Sequence, residues 1–476
     1  MGESTPPPSP PPAEGDGVAA RTESAHDALT ATRAAELVAL AETGDEAQVD
    51  EALRRMHSAD AAELLDALED EEQRARLFGR LADRHAAAVL SLVGDPTREA
   101  LLDAIPEPRL RAIVAALQSD DAADLLGELP RDRVERLLQS IPARISDDVR
   151  TLLRYDEESA GGIMQREFVA LDERATVQQA IATIRRRAAE VPDIHNVYVV
   201  DTAQRLVGVL PIRQLILAGP DTTLAAIMQR DPIVAHVGMD QEAVAALFSK
   251  YDLVALPVVD AGGRIVGRIT IDDIVDVMEE EASEDIYRLA GLGQDASVLE
   301  SPLDSVRQRL PWLIINLATC VLAAAVVALF EGTIQKLAIA AAFMTMVAGS
   351  GGNAGVQTLA VVVRGLAIGE LTFLNARRVI VKELTAGAIN GLAVGLVAGL
   401  IAFLWKGMPV IGVIVAAAIV GNLCIAALVG VLIPLGLKWC GIDPAIASTV
   451  VLTTFTDVCG FGLFLGLLTL FESLLV

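Results

Sequence analysis

The chain has 476 residues, of which 63 are acidic and 38 basic, giving a net charge of −25 at pH 7, and 53% of them are hydrophobic. That length exceeds one domain. So acidic a surface repels nucleic acid and anionic lipid head groups and attracts cations, so nucleic acid is excluded as a partner. The charge is also unevenly placed. Beyond Leu310 lie six acids and seven bases, and subtracting them from the totals leaves 57 acids and 31 bases, a net −26, on residues 1–310.

In chain order, Met1–His26 contains Pro, Ser and Glu and has no apolar core, so it reads as a disordered tail and not a signal peptide. Residues 27–160 read as short amphipathic helices, such as Ala61–Leu68, Arg109–Leu117, Ala122–Leu129 and Val134–Ile141, parted by Pro or Asp turns. Recurring Leu-Leu pairs predict that they stack into an all-α superhelical domain. Residues 161–275 change to alternating strands and helices and contain a duplication, 161–224 and 225–275. Val197-Tyr-Val-Val-Asp201 matches Leu256-Pro-Val-Val-Asp260, and Arg205-Leu-Val-Gly208 matches Arg264-Ile-Val-Gly267, both at an offset of 59. Each copy predicts strand, turn, strand and a helix starting near Ile212 or Ile271. Such a tandem resembles a CBS domain pair, a regulatory α/β module that binds nucleotides or ions. That resemblance implies a ribose contact at Asp273, in Thr270-Ile-Asp-Asp273, and hence ATP as a candidate ligand. The first copy has Pro211-Ile-Arg-Gln214 there and lacks the acid.

Residues 276–310 form an acidic connecting segment. From Asp272 to Asp285 the acids crowd one helix, with Asp273, Asp276 and Glu280 on one face and Glu281, Glu284 and Asp285 on another. Like charges at these spacings repel by a few tenths of a kcal/mol per pair. No basic run of comparable size exists to neutralise them, so divalent cations with oxygen ligands are the expected glue. Asp240, Glu242 and Asp252, and Asp120, Asp121 and Asp124, are further sets that either join in or cap helices.

Residues 311–476 hold five candidate spans: Trp312–Phe330, Leu337–Val363, Ile380–Trp405, Val410–Leu437 and Ile446–Phe471. With the N-terminal domains in the cytoplasm, seven bases fall inside and two outside. A cell-membrane protein with its N-terminus in the cytoplasm and its C-terminus outside is expected. The second span contains Gly349-Ser-Gly-Gly-Asn-Ala-Gly-Val-Gln-Thr358, which predicts a break in its helix. Carbonyls exposed there would suit a hydrated cation, while Gly351 and Gly355 equally suit close small-xxx-small packing. Asp457 is the one charged side chain in the last span, and Thr453, Thr454 and Thr449 share its face. An acid at membrane depth costs roughly 2.5–3.5 kcal/mol and marks a functional site. The four cysteines, Cys320, Cys424, Cys440 and Cys459, form no CxxC pair and no zinc spacing with the scattered histidines. No nucleophile–base pair appears, so an enzyme is not expected.

The motifs Gly351-Gly-Asn-Ala-Gly355, Thr454-Phe-Thr-Asp457-Val, Asp443-Pro444-Ala445 and Glu281-Ala-Ser-Glu-Asp-Ile-Tyr-Arg-Leu289 make the chain similar to MgtE-type magnesium channels along nearly its whole length. The resemblance implies a homodimer with the pore at the subunit interface. Asp457 would then be the acid that selects Mg²⁺, with Asn353 and Thr453 along the pore. A plug helix over about Asp276–Leu292 would gate it. Cytosolic Mg²⁺ at Asp120, Asp124, Asp240, Glu242, Asp252, Asp273, Asp276, Glu281, Glu284 and Asp285 would hold it closed. Val356 departs from the family, which often has a polar residue there. A transporter coupled to H⁺ or Na⁺, and a membrane-anchored nucleotide sensor, are the rival readings.

Overall fold

The computed structural model describes residues 46–475 except 189, 192, 294–300 and 447. The tail expected over Met1–His26, the first part of the helical region and part of the connecting segment lie outside the described residues. The chain divides into two compact units, Met1–Val277 and Met278–Val476.

The first unit opens with short helices: α1 (Glu46–Arg55), α2 (Ser58–Asp66), α3 (Glu71–Phe78), α4 (Asp83–Leu92), α5 (Asp95–Ala104), α6 (Glu107–Val114), α7 (Ser119–Gly127), α8 (Arg131–Ser140) and α9 (Ala143–Leu152). Each is 8–10 residues long, too short to be stable alone. They stand because each buries an apolar stripe against the helix two places on, as α2 does on α4, α4 on α6 and α7 on α9. Leu64, Leu90, Leu110, Ile113, Leu126 and Leu137 are fully buried. Arginines close the free helix ends. Arg109 donates to the carbonyls of Phe78, Gly79 and Leu81 at the end of α3, and Arg133 to that of Leu102 in α5.

The duplicated region follows as β1 (Ala170–Asp172), α10 (Val177–Arg187), β2 (Asn196–Val200), β3 (Leu206–Pro211), α11 (Ile212–Leu217), α12 (Leu224–Ile227), β4 (Gln229–Arg230), β5 (Ala235–His236), α13 (Gln241–Tyr251), β6 (Ala255–Val259) and β7 (Ile265–Thr270). The sheets are ordered β1-β2-β3-β4 and β5-β6-β7, each with one parallel pair followed by an antiparallel hairpin. The two hairpins share their irregularity. Val199 faces Gly208 and Val200 faces Leu206, as Val258 faces Gly267 and Val259 faces Ile265. The edges are exchanged between copies. β4, near the start of the second copy, pairs with β3 of the first, while Gln165, at the start of the first copy, bridges to Arg268 of the second.

Helix α14 (Ile271–Leu289) begins in the first unit and ends in the second. It therefore starts and stops a few residues before the helix expected over Asp276–Leu292. Thr270 starts it: the Asp273 carboxylate reaches back to accept from Thr270 N and Oγ1, at 3.2 and 2.6 Å, in the manner of a capping box.

The second unit holds α15 (Pro302–Ala328), the short α16 (Glu331–Lys336), α17 (Ala340–Ala367), α18 (Ala376–Lys406), α19 (Pro409–Trp439) and α20 (Ser448–Leu470), then a 3₁₀ turn at Glu472–Leu474. Five of these helices are long and apolar enough to cross a membrane. The apolar window of α19 is 56% buried and that of α15 only 6%, so α19 is the hub of the unit and α15 lies at its margin. Helix α17 runs unbroken through Gly349–Thr358, which overturns the expected break. A glycine costs about 1 kcal/mol in a helix, and here the bare backbone is used for close contact with neighbouring helices. The same device joins α18 to α19. Gly387, Gly391, Gly395 and Gly399 recur every fourth residue, and a Cβ on Gly399 would lie 2.5 Å from the Gly412 carbonyl oxygen.

Replacing Gly399 with Val should therefore lower the unfolding midpoint of the detergent-solubilised protein, at a cost of about 1–3 kcal/mol. Gly436→Ala, where an added Cβ meets nothing within 4 Å, should not. Circular-dichroism melts of the two variants check this, and equal midpoints would refute the seam.

Candidate cation pathway and acidic cluster

Asp457 lies in the middle of α20, half-buried, between Thr453 and Gly460. The Thr453 and Thr454 hydroxyls donate to the Val450 carbonyl at 3.1 and 2.7 Å, which spares each from standing unpaired in an apolar span. Helix α17 packs close beside α20. Gly352 lies 4.0 Å from the Thr453 methyl carbon, measured from its would-be Cβ, and Gly355 lies 2.9 Å from Leu452 Cδ2 on the same measure. Gly351 and Gly355 thus act in close packing, the second of the two uses their spacing allowed. Asn353, next on α17, is exposed, and so is Val356. A second membrane acid, Glu383 on α18, is buried against Thr358 at 3.3 Å and pairs with Lys382 at 2.7 Å.

At one end of this helix pair, α14 docks. Arg288 pairs with Asp443, ahead of α20, and with Glu284 one turn earlier on its own helix. Thr449 donates its hydroxyl to the Leu289 carbonyl at 2.6 Å. Leu289 packs with Leu359 and Val363 of α17 and Leu452 of α20. Burial first, then the charges of Asp443 and Glu281, push the Asp285 carboxyl up to about 6. Glu284 is buried, and Glu281 lies one turn before Asp285.

In the first unit a separate set of acids converges. The N-terminal turn of α7 supplies Asp120 and Asp121, the start of α14 supplies Asp272, Asp273 and Asp276, and Glu167 lies between them. The loop before β1 positions them. Gln165 exchanges backbone hydrogen bonds with Arg268, its Nε2 donates to Asp273 at 3.2 Å, and Ser119 Oγ donates to Glu167 at 2.7 Å. Asp120 is buried, and its Oδ1 has no hydrogen-bond partner among the described residues. Burial, then Asp273 and Asp121, hold its carboxyl well above the usual carboxylate range. Burial and the neighbouring acids raise Asp121 to about 6, and burial raises Asp273 to about 6 despite its bonds to Thr270. These groups keep protons that the unfolded chain releases near 3.8, so their charge destabilises the metal-free fold above about pH 6 and is relieved below it. Asp124 is exposed one turn beyond Asp120.

Among the described residues, no three His, Cys, Asp or Glu side chains converge tightly enough to hold a bare metal ion. The orphaned oxygen and the mutual repulsion suit a hydrated divalent ion bound through its waters. Asp240, Glu242 and Asp252 are not brought together as one set. Asp240 caps α13 by accepting from Glu242 N at 2.9 Å, while Asp252 ends that helix with φ 51°. Eleven residues of helix hold the two ends about 16 Å apart. Glu167 had no signal in the sequence, while Asp272 stood out only as the start of the acidic run and Arg288 and Asp443 only as parts of motifs, with no role of their own. The Thr-x-x-Asp box at Thr270 was a further local signal near Asp272.

Three sequence families match in order along the chain. The MgtE intracellular N domain matches residues 56–158, the CBS domain matches 160–221 and 224–280, and a family described as a divalent cation transporter, MgtE, matches 344–467. The magnesium transporter MgtE of Thermus thermophilus is 35% identical over 429 residues, covering 89% of this chain and 95% of that one. That of Bacillus subtilis is 32% identical over 407 residues, covering 83% and 90%. A solved structure, the cytosolic domain of the Mg²⁺ channel MgtE in complex with ATP, is 38% identical, covers 51% of this chain and 99% of that one, and superposes with a TM-score of 0.49. With five membrane-length helices, the chain is a multi-pass membrane protein. Both relatives align with more than four fifths of the chain, and the chain belongs to the MgtE family of magnesium transporters.

Proposed function

We propose that the chain is a Mg²⁺-selective channel, gated by Mg²⁺ on its cytosolic side, that mediates magnesium uptake. The observation that carries this is Asp457, half-buried in a membrane helix with Thr453 on its face and the Gly-rich α17 packed alongside. Within one chain Asn353 stays exposed and Asp457 partly so, which supports a homodimer whose two copies face each other across the pore. Two carboxylates would favour a divalent ion over a monovalent one by doubling the Coulomb attraction. Mg²⁺ gives up its waters reluctantly, so it would be held through them, with Asn353 and the threonines on the outer shell. The N-terminus would lie in the cytoplasm and the C-terminus outside, a reading that the basic residues at the span ends support.

For gating, residues 27–160, the CBS pair 161–275 and the connecting segment 276–310 are proposed as the sensor, with 311–476 as the pore domain. The repelling acids Asp120, Asp124, Asp273 and Asp276 would be neutralised by cytosolic Mg²⁺. Asp240, Glu242, Asp252, Glu281, Glu284 and Asp285 would add weaker sites. Because α14 is one helix, the state of its start would bias the docking of its end, the proposed plug, through Arg288 and Leu289. The ion must bind the closed state more tightly than the open one. ATP at Asp273 is the less supported role for that acid, whose carboxylate already serves Thr270 and Gln165. A transporter coupled to H⁺ or Na⁺ is the second reading, favoured by the buried Glu383, since a membrane carboxylate is a candidate proton carrier.

Mg²⁺ flux into liposomes separates the two. Passive flux that falls at least about tenfold in Asp457→Ala supports the channel, and flux that needs an H⁺ or Na⁺ gradient refutes it. For the sensor, Asp120→Asn combined with Asp273→Asn should raise the Mg²⁺ concentration needed for inhibition by about tenfold. In chelator the same double variant should melt above wild type, because it removes buried charge, and it should gain less on adding Mg²⁺. An unchanged Mg²⁺-dependent shift in melting would exclude these acids from the site.

A further inference from the structure

Asn422 sits in the middle of α19, and its side chain is wholly buried. An amide taken out of water is costly unless its groups are paired. Its Nδ2 donates to the Val347 carbonyl of α17 at 2.9 Å, one turn before Gly351. Its Oδ1 has no partner among the described residues. The amide fits because two other helices offer it bare backbone. A Cβ on Gly351 would stand 2.1 Å from Asn422 Nδ2, and one on Gly460 would stand 2.7 Å from the same atom. Gly351 belongs to the Gly-rich stretch of α17, and Gly460 lies three residues after Asp457 on α20. One polar side chain from the hub helix is thus clamped between the two elements that flank the proposed ion path.

We propose that Asn422 is a positioning residue for cation selectivity. Its amide fixes the spacing of α17 and α20, and so the place of Asp457, while its Oδ1 accepts a hydrogen bond from a water molecule. An apolar side chain of similar size would fill the volume but leave the helices untied. The proposal rests on the channel reading of Asp457.

The test is Mg²⁺ and Ca²⁺ flux through the full-length protein in liposomes, for wild type, Gly351→Ala, Asn422→Ala and the double variant. The methyl group of Gly351→Ala should collide with the amide and cut Mg²⁺ flux by about tenfold. Adding Asn422→Ala should bring flux back to that of Asn422→Ala alone. Asn422→Ala should shift the Mg²⁺-to-Ca²⁺ flux ratio by about threefold or more, which a packing role alone would not. If Gly351→Ala does not fold, Gly460→Ala with and without Asn422→Ala makes the same comparison. Additive losses in the double variant, or an unchanged ratio in Asn422→Ala, would overturn the proposal. Wild-type flux that requires an H⁺ or Na⁺ gradient would instead sink the channel reading, while the ratios between variants stay interpretable.

Discussion

A carboxylate that leaves water without a partner costs several kcal/mol, and both units are organised by that cost. In the second unit, Glu383 is buried but has Lys382 and Thr358, and Asp443 has Arg288. Among the described residues nothing bonds the carboxylate of Asp457, which keeps part of its surface open. In the first unit the opposite choice is made. Asp120, Asp121 and Asp273 are pressed together with no base among them, and protons or cations must supply what the fold withholds. Glu383 and Asp443 carry partners, whereas the Asp457 carboxylate and Asp120 Oδ1 have none among the described residues, and both of these lie where a functional role is proposed.

Much of this architecture was legible because it rests on local rules. The spans stand out by length and apolarity, and Asp457 by being alone in its span. The CBS duplication showed as a repeated string, and the two hairpins share even their bulges. The errors came where backbone chemistry depends on neighbours. Glycines in Gly349–Thr358 suggested a broken helix, yet a helix needs only its own hydrogen bonds, and the packed faces of Asn422 and Leu452 compensate the lost propensity. Asp240 and Asp252 looked like one set at 12 residues apart, but a rigid helix between them keeps them separate.

What the sequence hid was contact over distance. Arg288 and Asp443 are 155 residues apart, and no periodicity links them. Glu167 joins Asp120 and Asp273 only because Gln165 is tied to Arg268, a backbone pairing about a hundred residues long in sequence. Asn422 reads in the sequence as an ordinary polar residue in an apolar run. Its position becomes informative only when two glycines from other helices are seen to be cleared for it.

The exchange of edge strands between the CBS copies bears on how such a region can be handled and how it arose. Each copy borrows its outermost pairing from the segment that introduces the other, so neither sheet is complete by itself. A single copy cut at its natural repeat boundary would carry a bare edge of unpaired N–H and C=O groups, a surface prone to self-association. The smallest autonomous piece is then the pair. A lone ancestral copy would have needed a twin to cover that edge, so gene fusion would have tethered an arrangement already forced by hydrogen bonding.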